Sequence, residues 1–241
     1  MYFLLIFSII IHFYAITATK QTILLKNLLF WAFAITKYRL KNGKSVSTLI
    51  CFSLFTIFKN TISMLFMKLN ASYLGLAAFA LTTFVLSMAN IGVIDGGIVV
   101  SLAFFYGGMA QFAAGMLSFK ADDNFGGTAF SSYGAFWLSF GLMELLKMLG
   151  IYEPSNGEIA VMLIAWGIFT FYMWIPSIKI GKALSLVFLT LWLTFFILGL
   201  SFLYGYGTKA GGYVGMICAL LAWYVSFAGI TNEIYQKKLP L

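Results

Sequence analysis

Hydroxyls and amides, set at helical spacing in stretches that hold few other polar atoms, are the groups with chemistry to offer in this chain. Phe79, Thr82, Thr83, Leu86 and Asn90 recur at i, i+3, i+4, i+7 and i+11, which places them on one stripe of an α-helix. Such a stripe either bonds a neighbouring helix or lines a polar passage. Gln111 follows Gly107 and Gly108 and precedes Gly115, so an amide that is costly in hydrocarbon stands among residues that let backbones approach closely. Thr128, Ser131, Ser132 and Tyr133 then gather polar groups over one short segment. Tyrosine, with an apolar body and a wet tip, suits either a membrane interface or a pore wall.

Conventional catalysis has little to work with. The chain has one histidine, His12, and no Ser-His-Asp set, metal-ligand cluster or phosphate-binding glycine loop. The expectation is a protein that is not an enzyme and that uses no cofactor and no metal. Glu144 stands three residues before Lys147, the spacing of a local ion pair, with a proton relay as the alternative. Asp95 falls in a Gly-rich connection and is expected to be solvated. Cys51 and Cys218 lie in apolar runs, where a thiol behaves as a small hydrophobe; no disulfide is expected.

The elements that carry these residues follow from composition. With 62% hydrophobic and 9% charged residues, the chain cannot cover a water-facing surface. A spanning helix needs roughly 20 mainly apolar residues. Six such stretches run at about 71–90, 98–119, 128–149, 158–176, 182–203 and 211–231. Backbone groups in hydrocarbon must satisfy one another, and runs of this length lack the alternation of barrel strands. The fold class is therefore all-α, an integral membrane protein with a six-helix core over 70–241.

The net charge of +8 is confined to one end. Residues 1–69 carry eight basic groups and no acid, whereas residues 70–241 carry seven of each. No nucleic-acid partner is expected; the partners are membrane lipid and a small solute. Positive residues in short loops stay cytoplasmic, and placing the start of the core inside puts Lys68, Lys120, Lys179, Lys182, Lys237 and Lys238 there, against Lys209 outside and Lys147 near an outer end. Both core termini are thus expected to be cytoplasmic, in a multi-pass protein of the cell membrane. The extension 1–69 stays open between extra membrane segments, a basic surface-lying stretch, and native translation starting near Met64 or Met67.

Over residues 70–241 the chain resembles the acetate uptake transporters, a family of acetate/succinate–proton symporters. The family's opening signature Asn-Pro-Ala-Pro-Leu-Gly-Leu stands here as Asn70-Ala71-Ser72-Tyr73-Leu74-Gly75-Leu76, followed by Phe79, Thr82-Thr83 and Asn90. The block FYGGMAQFAAGM to NFGGTAFSSYGAFWLSF, then WGIFTFYM and Asn232-Glu233, carry the likeness further. Ala71 and Tyr73 replace both signature prolines, and Ser118 stands where the family often has an acid. The resemblance implies six-helix protomers that each enclose a pore and assemble as homohexamers. It also implies a hydrophobic constriction at Phe79, Tyr133 and Leu191.

The implied function is transport of acetate and related short carboxylates, succinate among them, together with a proton. Residues 70–241 contain no arginine, so a buried carboxylate would meet hydroxyls and amides rather than a guanidinium, and passage with a proton is favoured. The expected substrate contacts are Thr82, Thr83, Asn90, Ser131 and Ser132, supported by Gln111. Two rivals stay open: a channel for small neutral solutes such as urea, ammonia or undissociated acids, and a non-transporting membrane sensor or assembly protein.

Overall fold

A computed structural model describes residues 70–236 and 238–240. The expectations for residues 1–69, including those for His12 and Cys51, lie outside the described residues. The described part belongs to one compact unit, Lys68–Leu241. Six helical rods follow one another in it: α1 (Ser72–Ile91), α2 (Gly97–Lys120), α3 (Asn124–Met148), α4 (Asn156–Ile180), α5 (Lys182–Tyr204) and α6 (Lys209–Tyr235). Five are long and apolar enough to cross a membrane; α3, diluted by glycines and hydroxyls, is the exception.

Local chemistry sets the ends. α1 stops at Gly92 and α5 at Gly205, both with positive φ (83° and 74°), a conformation that glycine adopts without strain. Asp123 caps α3 by accepting the Gly126 amide at 2.9 Å, which starts that helix at Asn124, four residues ahead of the apolar run. Ser155 and Glu158 form a capping box on α4, and the Tyr152 hydroxyl donates to Glu158 at 2.7 Å. α4 continues through Pro176 to Ile180, beyond the boundary its sequence suggests.

α2 is not a uniform α-helix. Phe105–Ala110 forms a π-helical turn, whose i→i+5 pairing absorbs an extra residue and re-aims everything that follows, beginning with Gln111.

The helices close into a ring. α1 packs on α2, α2 on α3, α4 on α5, α5 on α6, and α6 returns to α1. The α3–α4 junction is made by large side chains: Tyr133 meets Trp166 and Phe169, and Phe136 meets Trp166, with ring centroids 5.2–6.1 Å apart. α1 and α6 are stitched by Ser226 donating to the Tyr73 carbonyl at 2.8 Å and by Thr208, just before α6, donating to the Asn90 carbonyl at 2.8 Å. Past α6 the chain turns back: Asn232 exchanges two hydrogen bonds with the Leu239 backbone and Tyr224 donates to the Pro240 carbonyl.

Polarity is arranged inside out relative to a water-soluble protein. Phe105, Ile175, Ile217 and Phe227 are exposed, whereas Thr82, Thr83, Gln111, Thr170 and Thr194 are buried. That is the distribution expected when lipid is the solvent.

The α1–α2 seam shows how close the backbones come. A Cβ built on Gly107 would lie 2.7 Å from the Thr82 hydroxyl oxygen, so only glycine fits there. Gly107→Val is expected to cost about 1–3 kcal/mol through overpacking, read as a lower thermal unfolding midpoint in detergent.

Candidate transport path

Two cavities lie inside the ring, one toward each end. The first, about 280 Å³, is reached from the end holding the N-termini of α1, α3 and α5 and is lined by Tyr73, Phe79, Gln111, Asp123, Tyr133 and Leu191, among others. The second, about 220 Å³, opens toward the opposite end and is lined by Phe79, Thr83, Asn90, Trp137, Glu144 and Leu191, among others. Phe79 and Leu191 belong to both walls. The two cavities therefore adjoin across these two side chains.

Tyr133 stands beside this partition. Its ring centroid is 6.0 Å from that of Phe79, and the residue is buried, so the interfacial-belt alternative does not apply. Its hydroxyl donates to Thr170 Oγ1 at 3.0 Å, and Thr170 in turn donates to the Trp166 carbonyl at 2.7 Å. This chain fixes the phenol in place and keeps its polar tip turned toward α4. Thr170 carries no signal in the sequence beyond being one hydroxyl in an aromatic run.

The polar residues divide by helix face. Thr83 and Asn90 line the second cavity and Gln111 the first. Thr83 Oγ1 and Gln111 Oε1 are buried without a hydrogen-bond partner. Thr82, one residue and about 100° away from Thr83, lines neither; it donates to the Ala78 carbonyl at 3.0 Å and packs on Gly107. Ser131 donates to the Gly127 carbonyl and sits against Gly115, and Ser132 opens onto a shallow groove with Ala165, Trp166 and Phe169.

Two further features come from the structure alone. Trp137 lines the second cavity with a buried indole Nε1 that has no partner, a donor that one tryptophan among six does not announce in sequence. Lys147 pairs with Glu153 at 3.2 Å, which corrects the expected Glu144–Lys147 pair: the loop after α3 folds back and offers Lys147 a second carboxylate, while Glu144 turns to the cavity. Asp95 is exposed, as its loop position suggests, and Cys218 is a buried free thiol whose Sγ donates to the Val187 carbonyl.

A ring of apolar helices around two adjoining internal cavities is the architecture of a membrane transport protein, and comparison with known proteins agrees. Residues 67–237 match the GPR1/FUN34/yaaH family, and the chain belongs to it. It is 36% identical over 177 residues to the succinate-acetate/proton symporter SatP of Escherichia coli, covering 71% of this chain and 94% of that protein. It is 41% identical over 187 residues to accumulation of dyads protein 2 of Saccharomyces cerevisiae, covering 71% of this chain and 66% of that one. The solved structure of the bacterial acetate channel SatP superposes with a TM-score of 0.70 at 35% identity, covering 72% of this chain and 98% of that one.

Proposed function

We propose that this protein carries acetate and related short carboxylates across the cell membrane, with a proton accompanying each carboxylate. The observation that carries the reading is the charge of the path. Asp123 lines the first cavity and Glu144 the second, and among the described residues neither wall contains Lys, Arg or His. An unaccompanied anion in low dielectric is far more costly than the neutral acid, so a path with carboxylates and no cation favours the acid or an anion moving with its proton.

Thr83, Asn90 and Gln111 supply the hydrogen bonds, and Trp137 adds an N–H that only an acceptor such as a carboxyl oxygen can satisfy. Phe79, Leu191 and Tyr133 form the constriction. Thr82 and Ser131 pack against glycines of α2, Ser132 faces the groove beside α4, and the substrate is left to the others. The same reading has α3 spanning with the other five helices, residues 70–241 acting as the transport domain, the core termini on the cytoplasmic side and protomers assembling as homohexamers.

Liposomes containing the purified protein are expected to take up labelled acetate faster under an inward proton gradient, after subtraction of leak through protein-free vesicles. Uptake indifferent to both the gradient and a protonophore would replace the symporter by a channel for undissociated acids or other small neutral solutes.

A further inference from the structure

Glu144 is the sole ionisable residue among the described residues lining the second cavity. It lies on the same face of α3 as Tyr133 and Trp137, seven residues beyond the tryptophan and eleven beyond the tyrosine, or about 16 Å along the helix from the constriction. Among the described residues it has no ion-pair partner, because Lys147 is held by Glu153. The walls around it are largely apolar, with Phe136, Phe140, Met143, Ile159 and Met162 among them. Among the described residues the other charges at this end are Asp95 before α2, Glu153 and Glu158 around the start of α4, Lys147, and Lys209 at the start of α6. At the opposite end Asp123 is already engaged as the cap of α3.

A lone carboxylate in a narrow, weakly polar vestibule projects its field onto whatever enters, since low-dielectric walls focus it. We infer that Glu144 is a specificity-determining residue, a charge filter that admits neutral and monoanionic solutes to this mouth and holds back dianions. The inference deepens the proposed function and rests on it for the identity of the solute; it narrows the substrate class to monocarboxylic acids, with succinate disfavoured while doubly ionised. The filter itself is a property of the vestibule and can be read without any transport. Thr83 and Trp137 line the same cavity nearer the constriction, and their Oγ1 and Nε1 are buried without a hydrogen-bond partner.

The test has two arms in liposomes holding the full chain with Cys51 and Cys218 replaced by alanine. In the first, Asn90→Cys places a thiol in the vestibule wall, and its modification by a cationic and an anionic methanethiosulfonate of similar size is timed against the same reagents on a free thiol. The cationic reagent is expected to gain about tenfold over the anionic one, and adding Glu144→Gln is expected to shrink that preference about threefold or more, with salt acting in the same direction. A preference untouched by Glu144→Gln overturns the filter. In the second, Glu144→Gln in the chain that keeps Asn90 is expected to raise the succinate-to-acetate uptake ratio at neutral pH about threefold; equal change in both fluxes overturns the filter. A charge preference in the first arm together with no acetate uptake by the parent chain keeps the filter and refutes the acetate reading instead.

Discussion

Leu191→Ala is expected to keep acetate moving and to admit larger monocarboxylates, raising lactate and butyrate uptake relative to acetate by about tenfold per folded protomer, the equivalent of 1.4 kcal/mol at the barrier. Leu191 belongs to the walls of both cavities, so removing roughly three of its carbons joins two existing spaces rather than opening a new void. A leucine enclosed by protein on all sides would behave otherwise, costing about 2–5 kcal/mol of stability and yielding no new substrate. The measurement is flux of the three acids for the parent chain, Phe79→Ala, Tyr133→Ala and Leu191→Ala. Unchanged relative selectivity in all three variants would remove the constriction from these residues.

Gln111→Leu is expected to push stability and transport in opposite directions. Gln111 is 1% exposed, lines the first cavity and leaves Oε1 without a partner. Replacing a buried unsatisfied amide by an apolar side chain of similar volume removes a desolvation penalty of about 1–3 kcal/mol, so the thermal midpoint should rise. Acetate flux should fall at least about tenfold, because the path loses a hydrogen bond at that level. An amide acting only as glue between helices would give a lower midpoint together with the lower flux. The two readings thus separate by the sign of one melting shift.

The helices were legible because hydrocarbon imposes a length and forbids charge, and both constraints act on single residues in order. Hence α1 and α5 fall within a residue of their expected bounds, while α3 begins earlier because the Asp123 cap, not hydropathy, decides its start. The stripe on α1 was legible as a face but not at its edge. Thr82 and Thr83 are the same residue type one position apart, and only the close approach of Gly107 assigns Thr82 to the seam. The Glu144–Lys147 spacing predicted a local pair, and the loop carrying Glu153 changed the outcome. Spacing along one helix contains no information about what folds back onto it. The π-helical turn was equally silent, since Gly107 and Gly108 permit it without requiring it.

The first and last helices of the ring are neighbours, and that contact dictates when the protein can become whole. Until α6 leaves the ribosome, the face of α1 that Gly212, Gly215 and Gly229 will cover is open, with Ser87 and the Tyr73 carbonyl turned toward lipid or toward a helper protein. Side-chain hydroxyls donating to α1 carbonyls close that seam at a sequence separation of more than a hundred residues, so it forms late in biogenesis and cannot be rehearsed by the nascent chain. A message truncated anywhere before α6 therefore yields an open arc of helices with unsatisfied polar edges, the kind of product that membrane quality control can recognise by what it leaves uncovered.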